Sequence, residues 1–313
     1  MPSSTNGLFL SARDVLHRGL SEMGISRQNR SEDFLKERFH AHYGSDPIIL
    51  ANQWYDLTVT TIPQSVLSKT ENTEKGFRFF LMAHYFLWNY PRNAETLATR
   101  FKVCTGYAKG KPLWNWIEKI AGLKAKKIIW PGELDSRYSE TFIITVDGTD
   151  FRCWEKKHPT LPRDNKQCSS KYKHAAVKYE VALAVFRPQV VWISGPHRGA
   201  KHDLDIFGTG GLGQKIKQGK RVICDRGYVS LKPEHRMLAW PNDGYDSKEL
   251  AAFKTRARLR HETFNARLKN YRSLSETFRH TSHLSNEKHK HVFEAIAVTV
   301  QYQMDNGSPI FAM

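Results

Sequence analysis

Apolar positions recur along the chain with two periods, and the change between them divides it. Up to residue 121 the spacing is helical. Phe34, Phe39, Ile48, Leu50 and Trp54 predict two short helices over 31–57, split at Gly44-Ser45-Asp46-Pro47 with Pro47 in the first turn of the second. Phe77, Phe80, Leu81, His84, Tyr85 and Trp88 predict a helix ended by Pro91. Thr96–Phe101 predicts another, and Pro112–Ile120 a third with proline at its first turn. Three short helices in 74–121 fit a helix-turn-helix-like module. They fit a small helical packing domain as well, because Gly106 and Gly110 interrupt the place of a recognition helix.

From Thr141 the pattern becomes that of strands. Runs at 142–146, 177–186, 189–194 and 221–224 predict four strands, the middle two joined as a hairpin at Arg187-Pro188. Helical spacing returns at 204–217, 247–271 and 286–303. The fold class is α/β, a mixed sheet flanked by helices and preceded by a small all-α region. The expected domains are a tail with accessory helices over 1–70, a helical region over 71–131 and a sheet domain over 138–313. Residues 1–30 are read as a mobile tail with some helix, and no basic-then-apolar leader is expected at the start. The longest apolar run, Val181–Phe186, is six residues, far from the roughly 20 of a membrane span.

Charge narrows the partner. Lys plus Arg total 48 against 31 Asp plus Glu, a formal balance of +17. Such a field attracts polyanions, nucleic acid first. The excess is clustered: eight Lys or Arg fall between residues 253 and 280, against Glu262 and Glu276. A second basic segment holds Lys156, Lys157, His158, Arg163, Lys166, Lys171, Lys173 and His174. Both also fit a merely solvated surface. The four cysteines at 104, 153, 168 and 224 have neither zinc-knuckle nor CxxC spacing and suit a reducing compartment. His289 and His291, two apart on one helix, diverge by roughly 200° and read as surface histidines.

The candidate chemistry lies in carboxylates. The 142–146 strand runs into Asp147-Gly148-Thr149, and the 221–224 strand into Asp225-Arg226-Gly227. A buried strand end has little use for a carboxylate unless something pairs it, and glycine lets a ligand approach. On a helical wheel Glu262 points roughly 160° away from Phe264, among Thr255, Arg258, Asn265 and Lys269. By itself that is also an Arg258–Glu262 surface pair. Three converging acids would fit two hard divalent ions, Mg²⁺ or Mn²⁺.

These motifs occur in a telling order: Val146-Asp-Gly-Thr149, Lys178-Tyr-Glu180, Trp192-Ile-Ser-Gly-Pro196, His202-Asp203, Asp225-Arg-Gly-Tyr228, Arg260-His-Glu-Thr-Phe-Asn265 with Arg267-Leu-Lys269, and Phe278-Arg-His280. In that order they resemble the DDE superfamily endonucleases, in particular Harbinger-type transposases or a domesticated relative. The resemblance implies a ribonuclease H-like catalytic domain that cuts and transfers DNA strands. It implies catalytic and metal-binding roles for Asp147, Asp225 and Glu262, with Asp150 and Glu249 as rivals for the first and third places. It further implies a supporting part for His202 and Asp203. From the two basic segments, and from the helical face around Glu262, DNA contacts are expected at Arg258, Arg260, Asn265, Lys269, Lys171 and Lys173. Asp203 is also a candidate cap for the helix it opens. A nuclear location, a separate Myb-like DNA-binding partner and a homo-oligomer are implied by the resemblance.

Overall fold

The computed structural model describes residues 8–58, 73–130, 141–154, 165–230, 232–241, 244, 246–280 and 285–311. The expectations at Lys156, Lys157, His158 and Arg163 lie outside them. The chain forms two compact units. One comprises Met1–Ala125, Asn270–Ser273 and His291–Asn306, the other Lys126–Lys269, Leu274–Lys290 and Gly307–Met313.

The first unit is helical. It holds α1 (Ala12–Glu22), α2 (Glu32–Tyr43), α3 (Pro47–Thr58), α4 (Glu74–Asn89), α5 (Ala94–Phe101), α6 (Thr105–Lys109) and α7 (Lys111–Gly122). Polar residues before the apolar runs cap four of these helices. Ser11, Ser31, Thr73 and Asn93 each accept a backbone N–H of the first turn, and Ser11 and Asp14 cap each other reciprocally. Helix α4 is buried along almost its whole length, and its Phe77 and Phe80 pack with Trp54 and Trp116. Between α5 and α6 the chain turns through a left-handed Lys102 into Cys104 at the start of α6. Helix α6 has five residues and stops at Gly110, as the interrupting glycines imply.

In the second unit, after the short α8 (Lys124–Lys127), a mixed sheet is built from β1 (Phe142–Arg152), β2 (Ala176–Ala184), β3 (Val190–Arg198), β4 (Arg221–Ile223) and β5 (Leu238–Ala239). Their spatial order is β3-β2-β1-β4-β5. The first three form an antiparallel meander, whereas β4 runs parallel to β1 and β5 parallel to β4. Two short helices, α9 (Asp203–Thr209) and α10 (Leu212–Lys215), carry the chain from β3 to β4. Their break at Gly210-Gly211 divides what the pattern reads as one helix. The long α11 (Lys248–Lys269), α12 (Arg272–Ser275) and α13 (Ser285–Asp305) follow, and α13 passes into the first unit at His291.

One face of the sheet packs Ile144, Val146, Ala182, Val222 and Leu238 against Phe207, Leu212 and Tyr228. On the other, Val185 and Ile223 meet Ala257 of α11. This is the mixed, helix-flanked, ribonuclease H-like sheet that the motif order implies. Two details differ from the pattern reading. Strand β1 does not end at Asp147 but continues five residues further, because Asp147 to Arg152 pair with Val181 to Ala176. The fifth strand, only two residues long, gives no alternation to detect. Among the described residues no helix is long and apolar enough to cross a membrane.

Candidate active site

Register brings the two aspartates together. Thr145 of β1 pairs with Ile223 of the parallel neighbour β4. Asp147 and Asp225 each lie two residues beyond, so they reach the same level of adjacent strands. Asp225 starts a tight turn, and its Oδ1 accepts the Gly227 N–H at 2.8 Å. Asp147 stays inside β1, where its carboxylate faces α11 and Asn265 Nδ2 donates to Oδ2 at 3.1 Å. The Asp147 carboxyl is pushed up to about 7. Burial is the main cause, and the charges of Asp225 and then Asp203 add to it. The Gly148 N–H and Asn265 pull the other way.

Asp203 is the third acid at this point. The structure assigns the cap of α9 to His202, whose Nδ1 accepts the Leu204 N–H at 3.4 Å. The Asp203 carboxylate is left to lie against Gly148 and Gly227. A Cβ at Gly148 would fall well inside contact distance of its Oδ1, and one at Gly227 would lie 2.9 Å from Asp203 Oδ2 and 2.9 Å from Asp225 Oδ1. Glycine follows each aspartate because a third carboxylate fills the space of a side chain. Lys178 Nζ sits 3.0 Å from Asp203 Oδ1.

Asp150, the rival of Asp147, serves a different end. It accepts a hydrogen bond from Ser169 Oγ, and Ser169 Oγ also accepts the Lys171 N–H at 3.2 Å. Asp150 thereby anchors the loop that presents the exposed Lys171 and Lys173, with Tyr172 under the Arg152 guanidinium.

Helix α11 distributes its predicted residues over three environments. Asn265 points inward to Asp147 rather than outward to DNA, and its Oδ1 is buried without a hydrogen-bond partner. Glu262, one turn earlier, has a side chain 64% exposed and lies 3.8 Å from Arg258 Nη2. Lys269 is half-buried. Arg260 corrects the sequence reading. It is buried and donates to the carbonyls of Ala184, Val185 and Arg187, so it closes the β2–β3 turn instead of meeting a phosphate. Glu249 is exposed and engaged with Ser247 at the start of the helix. Among the described residues no three His, Cys, Asp or Glu side chains form a ready metal cage.

Two participants escape the sequence reading. Lys178 and Glu180 were legible only as parts of a motif, yet charges at alternate positions of an apolar strand carry a signal of their own. They share one face of β2, opposite Asp150 and Gly148 of β1. Glu180 is fully buried and, chiefly for that reason, pushed up to about 8. The Trp192 indole lies near it without a well-formed hydrogen bond and offsets only part of the shift. His289, expected on the surface, is buried instead, and Tyr179 OH lies 2.8 Å from its Nδ1.

No curated protein and no solved structure gives a significant match to the chain. The family model described as DDE superfamily endonuclease matches residues 146–301. That segment opens one residue before Asp147 and contains Asp203, Asp225, Glu262 and Asn265. The chain belongs to the DDE superfamily endonucleases through residues 146–301.

Proposed function

We propose that the chain is a metal-dependent enzyme of the Harbinger-transposase type that cuts and transfers DNA strands with Asp147, Asp225 and Glu262. The observation that carries this reading is the Asp147–Asp225 pair, level on adjacent parallel strands, with Asp147 buried and pushed up to about 7. Such a pair carries more negative charge than its surroundings balance, and its donors are all oxygen. Both features fit a hard divalent cation, Mg²⁺ or Mn²⁺. Bound there, the ion would activate the attacking oxygen and stabilise the leaving one.

The protein's own groups supply the frame. Asp147 and Asp225 would hold the ion, and Asn265 fixes the Asp147 carboxylate. Glu262 would join them by turning from Arg258, which leaves Arg258 free for a phosphate. Lys171 and Lys173 on the loop, with Lys269 on α11, would track the DNA backbone. The nucleus, a homo-oligomer and a Myb-like partner belong to the same proposal.

One observation favours a second reading, a domesticated DNA-binding protein without cleavage: Glu262 is exposed and paired with Arg258. Glu262→Gln separates the two. In Mg²⁺ or Mn²⁺ the wild type should nick supercoiled DNA, and Glu262→Gln should bind it at equal or slightly greater affinity without cutting. Cutting by the variant at the wild-type rate would move the third acid elsewhere. A wild type that binds DNA and never cuts it would favour the second reading.

A further inference from the structure

Lys178 lies on the α9 side of the sheet inside a cage of oxygens. Its Nζ is 3.0 Å from Asp203 Oδ1, 3.0 Å from the Lys201 carbonyl oxygen and 3.8 Å from Asp150 Oδ1. The Asp150 side chain is 9% exposed. Ser169 takes its Oδ2, while Oδ1 is buried and has no hydrogen-bond partner. The Lys201 ammonium is turned away to Thr209 Oγ1 at 2.8 Å, so the cation in the cage is that of Lys178. Two anionic oxygens and a carbonyl are the donor set of a hard cation. The cage adjoins the active pair, since Asp203 lies against Gly148 and Gly227.

We infer that Lys178 is a built-in cation: its ammonium fills the oxygen cage of Asp203, Asp150 and Lys201 that a second divalent ion would otherwise take. Lys178 is a positioning residue. Through Asp203 it ties the Asp147-Gly148 stretch of β1 to the turn that bears Asp225, and it leaves room for one divalent ion on the Asp147–Asp225 side. The inference rests on the metal reading above only for the place of that one ion.

The test counts Mn²⁺ bound per chain from the free-ion electron paramagnetic resonance signal, without DNA. Lys178→Met keeps most of the stem and ends one atom short, which vacates the ammonium position. The wild type should bind one ion, Lys178→Arg one, and Lys178→Met one more than the wild type. Adding Asp203→Asn to Lys178→Met should return the count to the wild-type value. A wild-type count of two, an unchanged count in Lys178→Met, or an extra ion that survives Asp203→Asn would overturn the inference. A wild type that binds none would defeat the metal reading, while the gain in Lys178→Met would still decide this one. If Lys178→Met does not fold, amine labelling of Lys178 decides. Asp203→Asn should raise its rate about tenfold by releasing the ammonium, and an unchanged rate would count against the cage.

Discussion

Burial first, and then the charges of Asp225 and Asp203, raise the Asp147 carboxyl, and the effect on stability has a definite sign. Its folded-state pKa, about 7, lies above the ordinary aspartate value of 3.8. Between those values the folded chain binds the extra proton, so this group's contribution to stability falls as pH rises from about 4 through about 7. Glu180 acts in the same direction, from 4.5 through about 8. Urea unfolding at pH 5 and pH 8 should therefore show a smaller loss in Asp147→Asn than in the wild type. An equal loss in both would mean that the carboxyl is not held as described. Arg260 gives a second prediction at this scale. Its guanidinium serves three backbone carbonyls, so Arg260→Met should cost more than about 2 kcal/mol in unfolding free energy. The same change should leave the salt dependence of DNA binding unaltered. The sequence placed Arg260 on DNA because a charge run carries no mark of which member turns inward. Its neighbour His261, buried and pushed down to about 4, shows that the helix is wedged against the sheet at this turn.

At the scale of elements, the pairing of β1 with β4 was legible, because apolar runs that end near Asp-Gly and Asp-Arg-Gly need a shared level to have a common purpose. The length of β1 was not legible. Gly148, Thr149 and Asp150 look like a turn, and only pairing with β2 keeps them extended. The reason for the glycines was also invisible, since it lies in Asp203, which is remote in the chain from both Gly148 and Gly227. That contact gives a test by suppression. Gly148→Ala should drive its methyl into Asp203 and lower the melting temperature by several degrees. Asp203→Gly in the same chain should restore much of the loss. If Gly148→Ala melts like the wild type, the close approach is wrong. Helix α11 was legible in extent and apolar side, yet not in the reach of Asn265. A wheel gives direction without depth, and this amide touches the strand only because Ala257 and Phe264 seat the helix closely.

For the whole molecule, the formal balance of +17 sets long-range attraction, while only exposed cations shape the contact. Lys269→Ala should weaken binding alike for all DNA sequences and lower the slope of log affinity against log salt by about one unit. A slope unchanged by this substitution would place Lys269 away from the phosphates. Composition exposed the polyanion preference, and motif order exposed the family. Neither could show that the last helix enters the helical unit at His291, because that depends on packing between distant segments such as Gln53 with Thr299 and Asp56 with Tyr302.

The central claim is that Asp147 and Asp225 are the working acids of a DNA-cutting site. The most direct measurement is nicking of supercoiled DNA in Mn²⁺ by the wild type, Asp147→Asn and Asp225→Asn, each first shown by melting to be folded. The wild type is expected to nick, and each variant to lose at least about a hundredfold in rate while still binding DNA. Nicking by either folded variant at the wild-type rate would contradict the claim.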